Sequence, residues 1–196
     1  MKEQYTSGQH IVWHDDVIVK QFISYAVGCM MGRYSIDKPG LILANQGDGV
    51  KEYEALVPNA RFEIDDDGII PLMASNTDFA DNATVRFKKW LAVVLGEERL
   101  VENLNTIEAA LGKSIDDFFV KDFWKYHKKM YQNRPIYWLF SSKKGAFQCI
   151  AYMHRMTTLY CRANSHKVSV ATHRMACAKA KRNGRKCSQP QHIRTP

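Results

Sequence analysis

Residues 157–196 contain no aspartate or glutamate, yet they carry nine of the chain's 28 lysines and arginines. The whole chain sets those 28 against 20 acids; without the tail the count is 19 against 20, a net charge of −1 for residues 1–156. A basic balance usually points to nucleic acid, but here it belongs to a terminal arm and not to the part that can fold. A long apolar run is also lacking. The richest, residues 17–31, is broken by Lys20, Gln21 and Ser24, and it falls short of the roughly 20 residues that a membrane span needs. The first ten residues are polar and hold no signal-peptide core. No disulfide framework is visible. The five cysteines are an odd number: Cys29 and Cys149 sit in apolar runs as small hydrophobes, and Cys161, Cys177 and Cys187 lie in the tail. These absences predict a cytoplasmic protein with no membrane partner.

What is present suffices for one core: 45% of residues are hydrophobic and 11% aromatic. The chain divides into an N-terminal arm (1–14), a folded part (15–156) and a basic tail (157–196) expected to be disordered. The folded part reads as α+β, mainly helical with two short β-hairpins. Residues 15–34 form a helix apolar nearly all round, hence buried. Gly28 and Gly32, four apart, allow a neighbour to approach one face. Residues 41–50 suggest a short strand and then a loop containing Gly47 and Gly49. Residues 61–72 read as the first hairpin, turning at Asp65-Asp66-Asp67-Gly68. A calcium loop spaces its ligands at alternate positions and closes with a distant glutamate, so these adjacent carboxylates predict a solvated turn.

Three helices follow. The first, capped by Asn76 or Thr77, runs to about Leu95 and stops at Gly96. The second spans 97–111, with Leu100, Leu104, Ile107 and Leu111 on one side and Gly112 as its stop. The third is capped by Ser114, with Asp116 and Asp117 opposing the dipole in its first turn. There Phe119, Phe123, Tyr126 and Met130 form an apolar stripe, and Lys121, Lys125, Lys128 and Gln132 line the opposite side. Arg134-Pro135 ends it. Residues 136–141 and 146–154 form the second hairpin, with Lys143-Lys144-Gly145 at its tip. Seven cations are candidate phosphate contacts: Lys125, Lys128, Lys129, Arg134, Lys143, Lys144 and Arg155. The competing reading is ordinary solvated charge. His127, His154, Cys149 and Asp65–Asp67 are possible pieces of an enzyme, but no nucleophile pairs with a base. His127 reads as a surface or structural histidine. In the tail Cys161, His166, His173, Cys177, Cys187 and His192 match no standard zinc spacing. No catalytic, cofactor-binding or metal-ligating residue is assigned.

Three blocks carry a resemblance: ISYAVGCMMGRYSIDKPGLILANQG (23–47), RFEIDDDGIIPL (61–72) and FWKYHKKMYQNRPIYWLFSSKKGAFQCIAYMHR (123–155). In this order they resemble the adenine-specific DNA methyltransferases of BREX-type phage exclusion, the PglX family, and related restriction–modification enzymes. The resemblance implies DNA and other phage-defence proteins as partners, and S-adenosylmethionine as the cofactor of the family. The apparatus for that chemistry is not in this chain. An adenine methyltransferase holds the flipped base with an Asn/Asp-Pro-Pro-aromatic motif, and no two of the prolines at 39, 58, 71, 135, 190 and 196 are adjacent. Gly47-Asp48-Gly49 is the nearest approach to a glycine-rich cofactor loop and lacks a strand–loop–helix setting. The expectation is therefore a truncated family member, inactive alone and weakly DNA-associated. The alternative is a structural or nucleic-acid-binding module acting through its tail. The tail, where acids and periodicity are lost together, reads like a shifted frame or an unrelated fused end.

Overall fold

The computed structural model describes residues 14–74, 79–142 and 148–156. The arm before residue 14, the caps proposed at Asn76 and Thr77, the hairpin tip with Lys143 and Lys144, and the basic tail lie outside the described residues. The architecture is α+β, with a helical assembly packed on a small antiparallel sheet.

Helix α1 (Asp15–Met30) begins with two acids in its first turn, where they oppose the dipole. Only its second half is buried: Ile23, Ala26, Val27 and Met30 are fully enclosed, whereas Val17 and Ile18 stand in solvent. The apolar circumference is thus used only where other elements reach it. Close approach at the two glycines is real but differs in kind. A Cβ on Gly28 would lie 2.3 Å from the Tyr34 ring. Gly32 lies past the helix end at φ +78°, where a Cβ would meet Leu43 and Ile64.

The strand expected after residue 41 does not form. Ile42 and Leu43 instead hydrogen-bond back to the Arg33 and Gly32 carbonyls and drop their side chains into the core. A helix that sequence reasoning missed, α2 (Val50–Leu56), comes next, its first turn closed by the Gly49 amide donating to Glu52 Oε2 at 2.8 Å.

The first expected hairpin is half right. Strand β1 (Ile69–Pro71) exists and Gly68 turns at φ +68°, but residues 61–64 are not its partner. The Asp65 amide donates to the Met30 carbonyl at 2.7 Å, tying the incoming arm to the end of α1. The second hairpin, β2 (Tyr137–Ser141) and β3 (Gln148–Tyr152), forms as expected. β1 adds to it antiparallel, with Ile69 opposite Ala151 and Pro71 opposite Cys149. The order is β1-β3-β2. Side chains alternate across a sheet. The inner face carries Ile70, Ile150, Tyr152, Tyr137 and Leu139 into the main core. On the outer face Cys149 packs with Ile69, Met73 and Phe79.

Between β1 and β2 come the remaining longer helices. α3 (Ala83–Leu95) stops at Gly96 and α4 (Leu100–Leu111) at Gly112, which is left-handed at φ +67°. α5 (Ile115–Asp117) is a single turn whose N-cap Ser114 accepts the Asp117 amide at 3.2 Å. A π turn (Phe118–Asp122) leads into α6 (Phe123–Met130). The π turn holds one more residue than an α turn and rephases α6 relative to α5. Phe118, Phe119, Phe123 and His127 therefore face the core, while Tyr126 is half-buried and Met130 exposed, which corrects the predicted stripe. The helix ends before Arg134-Pro135, because Gln132 and Asn133 turn left-handed at φ +50° and +63° and donate to the Lys129 and Lys128 carbonyls.

Candidate nucleic-acid interface

Helix α6 presents its cations to solvent. Lys125, Lys128, Lys129 and, beyond its end, Arg134 are exposed, and none has an acidic partner among the described residues. Lys121, one turn earlier, differs: its Nζ lies 2.7 Å from Asp117. The core side of α6 fixes this orientation, since Phe123 and His127 are fully buried. Phe123 meets Phe119 at 5.7 Å, and His127 stacks on Tyr137 of β2 at 4.6 Å. His127 Nε2 accepts the amides of Ile136 and Tyr137 at 3.2 and 3.3 Å, so the histidine splices α6 to the start of β2. Burial, with the nearby Arg33 charge second, holds its pKa down to about 4. It is neutral and structural.

Trp124 and Trp138, which sequence reasoning passed over, join the same surface. Trp124 on α6 meets Trp138 on β2 edge-to-face at 5.7 Å. Trp138 remains 47% exposed and Phe140, two residues on, 43%. The pattern WKYHKK…WLF carried the signal, an interleaving of rings with cations, although the sequence was read there only as a helix followed by a hairpin strand.

Arg155 leaves the candidate set. It is 4% exposed, and its Nη1 and Nη2 donate to the Asp65 and Asp66 carbonyls at 2.6 and 2.8 Å. Pairing of β1 with β3 brings that turn to Arg155, a contact hidden when two separate hairpins were expected. The turn is also not solvated at Asp65. That carboxylate is buried, accepts the Ile69 and Asp67 amides at 3.0 and 3.3 Å, and lies 3.5 Å from Arg86. Burial raises its pKa to about 7, against the lowering pull of Arg86. The three carboxylates lie within 4.8 Å of one another, but Asp65 and Asp67 already accept backbone amides.

Of the other enzyme pieces, Cys149 lies in β3 and His154 in the short turn that follows it. Burial pushes the Cys149 thiol up to about 12 and the Cys29 thiol up to about 11, so neither is a ready thiolate. The Gly47-Asp48-Gly49 loop does open into a helix. Irregular chain precedes it, and the carboxylates of Asp48 and Glu52 take the amides of Asn45 and Gly49. No helix among the described residues is long and apolar enough to cross a membrane.

No protein-family model matches the chain. It is 44% identical over 157 residues to the adenine-specific methyltransferase BrxX of Escherichia coli O9:H4 (strain HS), a match covering 72% of this chain and 13% of that protein. It is 41% identical over 152 residues to the adenine-specific methyltransferase PglX of Lacticaseibacillus casei (strain Zhang), covering 70% of this chain and 12% of that one. By sequence, the chain belongs to the PglX family. It spans about an eighth of the length of these relatives.

Proposed function

We propose that this chain is a non-catalytic, DNA-associated segment of a BREX-type adenine-specific methyltransferase, acting in phage defence and touching the sugar–phosphate backbone through α6. The observation that carries the reading is the exposed set Lys125, Lys128, Lys129 and Arg134, held outward by the buried side of α6 and left without acidic partners among the described residues. The identity to BrxX and PglX supports the family setting. Contacts of this kind position a duplex and do not read its sequence. Lys143 and Lys144, outside the described residues, are proposed as further contacts of the same kind. Other phage-defence proteins are proposed partners through the longer family proteins.

Salt dependence is the test. A triple change, Lys125→Gln/Lys128→Gln/Lys129→Gln, in the full chain should weaken duplex binding in fluorescence anisotropy. It should also reduce the slope of log affinity against log salt by about 2 to 3. An unchanged slope would overturn the reading. It would favour the tail instead, whose nine cations without an acid give the second reading its support. The same protein, incubated with duplex and radiolabelled methyl donor, is expected to transfer no label.

A further inference from the structure

We infer that the outer face of β2, with the neighbouring turns of α6, is a stacking platform for unpaired nucleotides, so that single-stranded nucleic acid is the ligand class of this surface. The inference rests on the DNA-association reading and specifies it.

β2 is an edge strand in the order β1-β3-β2, with one side unpaired among the described residues. Trp138 and Phe140 share its outer face and are 47% and 43% exposed. On that face Phe140 stands opposite Cys149 and Trp138 opposite Ala151, while Cys149 is itself covered by Ile69, Met73 and Phe79. Large rings left in water beside one another are characteristic of a binding surface. The edge-to-face contact of Trp138 with Trp124 at 5.7 Å fixes the first ring relative to α6. Lys125 follows Trp124 directly, and Lys128 lies one helical turn beyond it on the same side. Both cations are exposed.

Charge decides between occupants. A purely apolar partner, such as a helix of another protein, would strip water from Lys125 and Lys128 and give nothing back. A duplex offers phosphates to the lysines but keeps its base faces stacked inside. A single strand offers both at once, base faces for the rings and phosphates for the cations.

The experiment uses the full chain and two labelled probes at one salt concentration, a poly-thymidine strand of about fifteen nucleotides and a duplex of equal length. The strand is expected to bind more tightly than the duplex and to quench tryptophan emission. Trp138→Ala/Phe140→Ala should weaken strand binding by about tenfold or more and duplex binding by less than about twofold. Trp138→Phe should retain most of the strand affinity, because a ring remains. The tail is the same in every variant, so its contribution cancels. If the double variant melts below the assay temperature, Trp138→Leu takes its place.

Equal loss on both probes, or no loss on the strand, overturns the inference. Lysine-dependent duplex binding without preference for the strand overturns it and spares the DNA-association reading. Binding of neither probe overturns both. A mass increase in light scattering that the double variant abolishes also overturns it, and assigns the face to a second copy of the chain.

Discussion

His127 and Asp65 are two buried ionisable groups whose pKa values are displaced toward their neutral forms, and they respond to pH in opposite senses. The His127 pKa falls from 6.5 to about 4. Its contribution to stability is whole above about 6.5 and is lost as pH falls through about 4, because the unfolded chain then binds the extra proton. The span corresponds to roughly 3 kcal/mol. The Asp65 pKa rises from 3.8 to about 7. Its contribution is whole below 3.8 and is lost as pH rises through about 7. Between these limits the two effects oppose each other, and single variants should separate them. In His127→Gln the fall in melting temperature from pH 7 to pH 4.5 should be smaller than in the parent. Asp65→Asn should gain stability relative to the parent as pH rises from 5 to 8. Parallel curves for either variant would show that its group does not titrate as described.

Helix termini hold comparable, smaller effects. Ser114→Ala removes the acceptor for the Asp117 amide and should cost about 1 kcal/mol in urea unfolding. Gly112 and Gly32 are both left-handed, but a Cβ on Gly112 meets open space whereas one on Gly32 lies 2.7 Å from Leu43 Cδ1. Gly112→Ala should therefore cost about 1 to 2 kcal/mol, the backbone term alone. Gly32→Ala should cost about 1 to 3 kcal/mol more, from overpacking. These stops and caps were legible, since Ser114, Gly96 and Gly112 are local signals and need nothing from the rest of the chain. The π turn at Phe118–Asp122 was not, and it displaced the predicted stripe by one position, from Tyr126 to His127. α2 was also missed, because Val50–Leu56 is too short to show a period. The candidate interface was legible as charge at Lys125, Lys128 and Lys129. Burial of Arg155 and exposure of Trp138 depend on which strand lies beside which, and no local pattern states that.

At the scale of the molecule, β1 and β3 are far apart in sequence, and α3, α4 and α6 lie between them. Arg155 clasps the turn before β1, the Gly47 amide donates to the His154 carbonyl at 2.7 Å, and Gln46 reaches the Met153 and Met156 carbonyls. Arg155→Gln would leave the carbonyls of Asp65 and Asp66 short of charged donors. It should lower stability by about 2 to 3 kcal/mol, without altering the salt slope of duplex binding. A variant that melts like the parent would contradict the clasp.

During synthesis on a ribosome, the three residues of β1 leave the exit tunnel long before anything exists for them to pair with. The helices can gather first, but the sheet cannot close until β3 has been made, so the latest-made of the three strands decides when the earlier layers stop exchanging with solvent. Nascent chains arrested before and after that point should differ abruptly in their resistance to protease.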